Sequence, residues 1–423
     1  MARPIIYDVS RLFLCTAAAA PRGIDRLDLA IAEHLFAHWP ATVWGCMPTL
    51  LGERLFDRDR VLRGLAYLKE VWAEARPASE DAAFGRLSAQ LRDSALPPPT
   101  HRAARLTGPL SLIRRTGFQF GHPAVRGAPR GAIYLNVGQL AWGIPVLTHW
   151  LRRRRDLKAI FMVHDVIPID HPELVIPMSR RAHQWLMSAV ARHASGLLLT
   201  TRAAGDAVVQ RLESMSVSAL PADIGPVPIP PAFMGMAPQQ PSLTATCYFV
   251  ICGAIEPRKN LSILLDAWEL LNASYGARTP QLVIAGTPAN RAAPILARIA
   301  ASLVPRGPLI WARGLSTPAL RQVIGQARAL LMPSLAEGYG MPVAEALALG
   351  TPVIASDIPP HVEIARDHAA FCPPRDAAAW CAAIERLTFD EAAHQAARSR
   401  AAGYVPIPAD CYFRRIESFL QRF

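Results

Sequence analysis

Short apolar runs alternate with amphipathic segments along the second half of the chain. The runs predict strands over 246–252, 281–285, 309–312, 329–332 and 352–355. Between them, apolar residues recur at helical spacing over 261–272, 292–303, 318–328 and 342–349. Asn260 and Thr317 are predicted to be N-caps, and Gly350 is predicted to close the fourth helix. Strands and helices that alternate in this way predict a doubly wound, mostly parallel α/β sheet.

The first half repeats this alternation less regularly. Strands are predicted over 5–9, 42–46, 132–137, 158–163 and 196–200, and helices over 24–39 and 179–192. Residues 51–130 have no clear period, and we expect helices and long loops inserted into the first domain there. Two such halves predict two Rossmann-like domains that face each other across a cleft.

A proline-rich segment separates the halves. Seven prolines lie from Pro221 to Pro241, and a run that rich is typical of an interdomain connection rather than of a sheet or helix. The chain of 423 residues also exceeds the size at which a single core usually stops growing. We therefore predict an N-terminal domain over 1–240, a C-terminal domain over 241–405, and a terminal helix over 406–423 that packs back toward the first domain.

Hydropathy and cysteine spacing favour a cytoplasmic protein. The longest apolar stretches are too short for a membrane span or are interrupted by charge. Asp8, Ser10 and Arg11 break the apolar start, which favours a first strand over a secretory signal. The seven cysteines show no Cys-x-x-Cys spacing, which indicates reduced thiols.

The net charge of +12 comes almost entirely from arginine. Residues 94–155 hold ten arginines and no Asp or Glu, with Phe118, Phe120, Trp142 and Trp150 nearby. Such a block would dock on an anionic surface, so a peripheral position on the inner face of the plasma membrane stays open. A solvated helix end explains Arg152–Arg155 equally well.

The loop after the strand at 246–252 carries two adjacent cations, Arg258 and Lys259, just before a predicted helix. Positive side chains beside the positive end of a helix dipole are unfavourable unless an anion joins them. A diphosphate would supply that anion, bound by guanidinium, ammonium and helix amides together. A solvated basic turn is the alternative for an isolated Arg-Lys pair.

The loop after the strand at 329–332 carries two glutamates, Glu337 in the loop and Glu345 about one turn inside the next helix. Both can face the same end of the sheet. Gly338 and Gly340 remove side chains where a ligand or a backbone must come close. Carboxylates accept hydrogen bonds from pairs of sugar hydroxyls, so they suit a ribose and a hexose.

These motifs together resemble family-4 retaining glycosyltransferases. The resemblance rests on Pro-Ser-x-x-Glu-Gly-Tyr-Gly-Met-Pro-x-x-Glu from Pro333 and on Gly253…Glu-Pro-Arg-Lys-Asn260, and it covers most of residues 245–375. It implies a GT-B fold, Arg258 and Lys259 on the donor diphosphate, Glu345 on the ribose and Glu337 on the transferred sugar. It further implies donor contacts from a larger set of loop residues: Gly253, Arg313, Gly314, Leu315, Gly338, Tyr339, Gly340 and Met341.

In the first domain the resemblance points to two further positions. His164 ends the strand at 158–163, where the family has a histidine close to the donor sugar. Gly23 lies in the loop that faces the donor phosphates and the acceptor, although this loop has one glycine where two are common. Arg26 or Asp25 is then a candidate for acceptor contacts.

We expect no metal and no cofactor beyond the nucleotide sugar. The run from His164 to Glu173 does not have the spacing of a known set of metal ligands. Asp57-Arg58-Asp59 matches the metal-binding Asp-x-Asp motif of a different glycosyltransferase fold only by chance, because its surroundings do not resemble that fold. Arg258 and Lys259 would stabilise the departing diphosphate instead. We expect front-side substitution, in which the donor phosphate takes the acceptor proton and no protein nucleophile takes part.

The expected function is transfer of a hexose from a nucleotide-diphosphate sugar to a saccharide or polyprenyl-linked acceptor. The run from His164 and the Arg-Gly-Ile-Asp-Arg start at Arg22 resemble bacterial mannosyl- or rhamnosyltransferases of surface-polysaccharide pathways. Other functions stay open: a basic nucleic-acid- or membrane-binding protein without catalysis, a catalytically silent relative, and a phosphorylase or synthase of storage glucan. The chain contains no recognised nucleic-acid module, so we expect no nucleic-acid partner.

Overall fold

The structure is a computed structural model. It describes residues 2–14, 21–49, 51–72, 77–92, 121–139, 145–235, 237, 240, 243, 246–302 and 308–423. These residues form two sheets, one of eight strands and one of six, with helices packed against both. Within this part of the chain, no helix combines the length and the hydropathy needed to cross a bilayer.

The first sheet has the strand order β4-β3-β2-β1-β5-β6-β7-β8. Its pairs are parallel except that β3 runs antiparallel to both β2 and β4. The strands are β1 (Ile5–Asp8), β2 (Val43–Thr49), β3 (Gly52–Phe56), β4 (His122–Pro123), β5 (Ile133–Asn136), β6 (Lys158–Val163), β7 (Ala194–Leu199) and β8 (Ala222–Ile224). The five strands predicted for this half of the chain are thus neighbours in one sheet.

Helices connect and cover these strands. Those of the first half are α1 (Ser10–Leu14), α2 (Gly23–His38), α3 (Arg58–Val71), α4 (Ala82–Arg92), α5 (Ala124–Gly127), α6 (Ile167–Asp170), α7 (Pro177–His193) and α8 (Arg202–Glu213), with a 3-10 helix over Pro145–Arg153. Helix α2 buries its apolar face against β1 and β2 in one core cluster that includes Ile5, Leu35 and Val43.

The second sheet is parallel throughout, in the order β11-β10-β9-β12-β13-β14. Its strands are β9 (Tyr248–Cys252), β10 (Gln281–Ala285), β11 (Leu309–Ala312), β12 (Leu330–Met332), β13 (Val353–Ser356) and β14 (Ala370–Cys372). Strands β10 and β11 follow β9 on one side of it, and the chain then crosses to the other side of β9, where β12 pairs with it. This reversal creates a crevice between the carboxyl ends of β9 and β12, where ligands of such sheets bind.

Eight further helices complete the described second half. They are α9 (Leu261–Tyr275), α10 (Ala293–Ser302), α11 (Thr317–Gly325), α12 (Met341–Ala348), α13 (Pro359–Ala365), α14 (Ala377–Phe389), α15 (Glu391–Ala402) and α16 (Ala409–Leu420). Helix α16 buries Tyr412, Ile416, Phe419 and Leu420 in the same core cluster as β1 and α2. A buried face of this size anchors the end of the chain to the first sheet.

Three local expectations were wrong. Ser316, not Thr317, caps α11, because its hydroxyl accepts the Ala319 amide at 3.4 Å. Asn260 stands at the start of α9 in the left-handed conformation and makes no side-chain cap, since its amide bonds elsewhere. The proline-rich segment also contains a strand, because β8 can add to the edge of the sheet beside β7.

Helix α4 does not pack where the sequence led us to expect. It precedes β5 in the chain, yet Phe84, Leu87 and Leu91 are buried in a core cluster of the second sheet. Asp81 also accepts the backbone amide of Ser316 at 2.7 Å. The amphipathic pattern of this helix predicts burial of one face but not which sheet covers it. The domain boundary near residue 240 stays a prediction.

Candidate functional site

The crevice between β9 and β12 holds both predicted donor loops. A single 3-10 turn, Pro257–Lys259, presents Arg258 and Lys259 beyond the end of β9. The Arg258 carbonyl accepts the Leu335 amide at 2.9 Å, which joins this turn to the loop after β12. The Asn260 side-chain amide donates to the carbonyls of Pro333 at 3.0 Å and Pro374 at 2.6 Å. Three loops at the carboxyl edge are thus fixed to one another.

Glu337 is the centre of an ion cluster at this crevice. Its carboxylate accepts from Arg258 Nη1 at 2.6 Å, from Lys259 Nζ at 2.6 Å and from the Ser334 hydroxyl at 2.7 Å. Arg258 also donates to Glu256 at 2.7 Å. The two cations that we expected to require an anion therefore have one within the protein, and it is the carboxylate that the resemblance assigns to the sugar.

The electrostatics of the cluster keep its groups ionised. Burial alone would raise the pKa of Glu337, but Arg258 and Lys259 outweigh it and hold that pKa well below its usual range. Burial would lower the pKa of Arg258, and Glu337 and Glu256 outweigh it in turn, so that pKa is raised. Glu337 and Arg258 therefore both stay charged near neutral pH.

Sequence reasoning missed Ser334 and His361. His361 lies on α13, in the loop-to-helix segment after β13, and its ring packs beside Gly340. Burial lowers its pKa to about 4, so the imidazole is neutral near pH 7. Its Nε2 is buried and has no partner among the described residues. His361 follows β13, the neighbour of β12 in the sheet, and this position at the same edge could have marked it as a site residue.

Glu345 lies within α12 and is 2% exposed. Its Oε1 accepts a hydrogen bond from Arg26 Nη1 at 2.8 Å. Arg26 belongs to α2 of the first sheet, so the pair crosses the cleft. Asp25, the other acceptor candidate, instead pairs with Arg11 at 2.7 Å and accepts the Arg22 amide at 2.8 Å.

His164 is buried rather than open to the cleft, with 5% exposure. Its Nε2 lies 2.8 Å from the Val137 carbonyl oxygen, so Nε2 carries the proton and donates. Burial lowers the pKa of His164 to about 4, which leaves the ring neutral near pH 7. Such a ring is suited to hold the end of β6 against the loop after β5 and is a poor proton acceptor through Nε2.

The glycine-containing loop after β12 inserts against the first sheet. The Gly338 carbonyl accepts the Thr201 hydroxyl at 2.9 Å, and the Tyr339 hydroxyl donates to the Val227 carbonyl at 3.3 Å. A Cβ on Gly338 would overlap the His164 carbonyl oxygen, and a Cβ on Gly23 would lie 3.3 Å from that of Met341. These glycines let the two halves of the site touch.

Replacement of Gly338 by alanine is expected to push the two halves of the cleft apart. The added methyl group meets a backbone carbonyl, which cannot rotate away. Small-angle scattering should show a more open cleft while the two sheets stay folded. Gly85→Ala on α4 is the matched control, because nothing lies within 4 Å of its Cβ. Equal small-angle scattering profiles for the two variants would contradict this prediction.

Three of the residues expected to contact the donor, Arg313 to Leu315, follow β11. The Arg313 guanidinium lies over the Trp311 ring at 4.6 Å from its centroid. Gly314 has a φ of 72°, and Leu315 is buried in the core. The Leu315 side chain is therefore used for packing, which leaves its backbone for the donor contact that the resemblance implies. Gly253, with a φ of 131°, lies under Lys259.

Metal-ligating side chains do not converge in the described part of the chain. No group of three or more His, Cys, Asp or Glu residues there could hold a metal ion. The absence of a metal requirement stays a prediction.

Comparison with known proteins defines the class. The two-sheet fold is GT-B, as in sucrose-phosphate synthase from Thermosynechococcus elongatus (TM-score 0.61, 15% identity, 99% of this chain and 98% of that chain). HepE of Anabaena, in complex with UDP-glucose, is similar over the same extent (TM-score 0.58, 14% identity, 99% and 97%). At these identities the likeness concerns the fold alone.

The second domain carries the family signature. Residues 246–390 match the model of the family described as glycosyl transferases group 1. The resemblance to glycosyltransferases is thereby confirmed for this part of the chain, and the retaining mechanism stays a prediction. The serotype-specific mannosyltransferase WbdA of Escherichia coli is 28% identical over 225 residues, which is 50% of this chain and 27% of that protein. The chain thus spans about a quarter of the length of this curated relative.

Proposed function

We propose that this protein transfers a hexose from a nucleotide-diphosphate sugar to a saccharide acceptor. One observation carries the proposal: Arg258, Lys259 and Glu337 converge at the crevice between β9 and β12. Two cations and a carboxylate at that position match the two halves of such a donor, a diphosphate and a polyhydroxyl ring. The family match of the same residues and the UDP-glucose bound to HepE agree with it.

In the proposed reaction the donor diphosphate binds beside Arg258 and Lys259, whose counter-ions within the protein are Glu337 and, for Arg258, also Glu256. Arg258 and Lys259 stabilise the charge that develops as the bond from the anomeric carbon to the β-phosphate oxygen breaks. The acceptor oxygen bonds to the same face of that carbon, and its proton passes to the departing phosphate oxygen. Retention follows, and neither a protein nucleophile nor a metal ion is required. Glu337 then accepts hydroxyls of the transferred sugar.

The donor sugar is proposed to be mannose, with rhamnose as the alternative. Similarity to a serotype-specific mannosyltransferase supports a hexose used in surface polysaccharide. The acceptor would then be a saccharide, free or attached to a polyprenyl carrier, in the synthesis of cell-envelope polysaccharide. A nucleotide-sugar donor places the reaction in the cytoplasm.

The reaction is tested with nucleotide sugars and saccharide acceptors in the presence of a metal chelator. Release of a nucleoside diphosphate that depends on the acceptor is expected, and NMR should find the donor's anomeric configuration in the product. An inverted product or an accumulated glycosyl–enzyme adduct would overturn the mechanism. If no nucleotide sugar releases its nucleoside diphosphate with any acceptor, the proposed function is overturned and a binding protein without catalysis is favoured.

We further propose that the first sheet docks on an anionic lipid surface, through residues other than the expected aromatics. Trp150 is buried against Tyr134, with ring centroids 5.6 Å apart, and Phe118, Phe120 and Trp142 lie outside the described residues. Helix α7 instead exposes Met178 and Trp185, at 60% and 43%. Arg181 and Arg192 share that face at heptad-like spacing, and the adjacent 3-10 helix exposes Arg152 and Arg153.

Replacement of Trp185 by serine is expected to weaken vesicle binding several-fold, because an interfacial indole is lost. The protein should co-sediment with vesicles containing phosphatidylglycerol, less so at high salt, and not with phosphatidylcholine alone. Val209→Ser, another exposed apolar residue on α8, is the control. Equal binding of both variants, or no binding of the wild type, would contradict the proposal.

A further inference from the structure

Arg26 reaches from the first sheet's helix α2 to a carboxylate of the second domain. Its guanidinium donates to Glu345 at 2.8 Å, and the two side chains are 10% and 2% exposed. The first turns of α2 and α12 meet at this point, since Gly23 lies against Met341. A buried pair between two domains can form only when the cleft is closed to this extent.

The surroundings of Arg26 fix its direction. The guanidinium lies over the Phe233 ring, 5.2 Å from its centroid, and Phe233 belongs to the connection between the domains. Its Nε is buried and has no hydrogen-bond partner among the described residues. Arg26 therefore gives Nη1 to Glu345 and keeps a buried Nε donor without a partner, a cost that native proteins rarely carry without a structural or functional reason.

Burial of Glu345 makes its charge depend on Arg26. An ionised carboxylate removed from water is costly unless a cation or several donors compensate it. The Arg26 bond is to Oε1 alone. It supplies the compensating charge and leaves the other carboxylate oxygen for hydroxyl donors.

We propose that Arg26 is a positioning residue for the nucleotide ribose: it holds Glu345 ionised and oriented so that the ribose hydroxyls can donate to it. This inference rests on the proposed function, in which Glu345 binds the ribose. The ribose subsite is then shared between the two domains, and ribose binding favours the closed cleft.

Loss of Arg26 should make nucleotide binding sensitive to pH. Burial raises the pKa of Glu345, and Arg26 opposes that rise. Cys252 is the other titratable group coupled to Glu345, and burial raises its pKa to about 12, so it stays neutral. Without Arg26 the pKa of Glu345 rises further, so the carboxyl is protonated at low pH and ionises again as pH increases. Binding by the variant should weaken as pH falls and approach that of the wild type as pH rises.

The test measures affinity calorimetrically for UDP or GDP, whichever binds, and for its 2′,3′-dideoxy analogue. Arg26→Met is expected to weaken binding of the ribose compound about tenfold at pH 7, to weaken it less at pH 9, and to leave binding of the dideoxy compound unchanged. Arg26→Lys should restore most of the loss. Arg63→Met, an exposed arginine on α3, is the matched control and should change neither affinity.

A double variant separates the proposed role of Arg26 from a general loss of folding. In a Glu345→Gln background there is no buried carboxylate to compensate, so adding Arg26→Met should have no further effect on affinity. Equal losses for the ribose and dideoxy compounds, or a wild-type affinity for Arg26→Met, would overturn the inference while leaving the proposed function intact. If the wild-type protein binds neither UDP, GDP, TDP nor ADP, the proposed function fails and the inference fails with it.

Discussion

Replacement of Lys259 by methionine is expected to lower the rate of sugar transfer by about 10²- to 10³-fold. Methionine keeps the unbranched apolar stem and removes the charge that lies 2.6 Å from Glu337. The lost cation would have stabilised the departing diphosphate, so the fall should appear in kcat/KM for the nucleotide sugar. Glu337 retains Arg258 and Ser334, so the loop should keep its conformation.

Lys158→Met is the matched control for that prediction. Lys158 is exposed at the start of β6, at the opposite end of this strand from the cleft. Its replacement should leave kcat/KM within about twofold, as expected for a remote surface charge. Similar rates for Lys259→Met and Lys158→Met would show that the ammonium group of Lys259 has no part in transfer.

Replacement of Glu337 by glutamine is expected to lower the free energy of unfolding by about 3 kcal/mol, because the buried Lys259 and the partly buried Arg258 lose their shared counter-ion. Glutamine has nearly the same shape and can still accept one hydrogen bond. A nucleoside diphosphate should restore part of the stability, since its phosphates supply the missing anion. Denaturant unfolding with and without the nucleotide measures both effects. Glu391→Gln, at an exposed ion pair with Arg328, should change stability little.

The same variant has a predictable pH dependence. The folded-state pKa of Glu337 lies below its value in the unfolded chain, so the ion cluster stabilises the protein above a pH of about 4.3. That contribution is lost as pH falls below this value. The stability difference between wild type and Glu337→Gln should therefore shrink on acidification. A difference that stays constant down to pH 3 would mean that Glu337 is not the counter-ion of the cluster.

The second sheet was the more predictable half of the fold. Its strands are buried on both faces, so they appear in the sequence as continuous apolar runs, and β10 and β11 have the predicted bounds. Strand β8 lies within a proline-rich segment at a sheet edge, where neither pattern nor propensity indicates a strand. Helix α4 has a clear apolar face, but that face packs against the second sheet, and no local pattern in the sequence indicates which sheet a helix will cover.

The candidate site also has features that were predictable from the sequence and features that were not. The proximity of Arg258, Lys259 and Glu337 was predictable, because loops after neighbouring parallel strands meet at one edge. Their direct pairing with one another was not predictable, since a sequence contains no distances. The Arg26–Glu345 pair depends on the relative placement of the two domains, which no local pattern encodes. His361 was missed because its loop lacks a motif.

The central claim is that the crevice between β9 and β12 binds a nucleoside diphosphate through Arg258 and Lys259. Thermal unfolding with UDP, GDP, TDP and ADP, in the absence of metal ions, tests it most directly. A rise in melting temperature with one of them in the wild type, lost in Lys259→Met, is the predicted result. No shift with any of them, alongside a shift with DNA or anionic vesicles, would contradict the claim and make the arginine-rich segment at residues 94–155 the main functional feature.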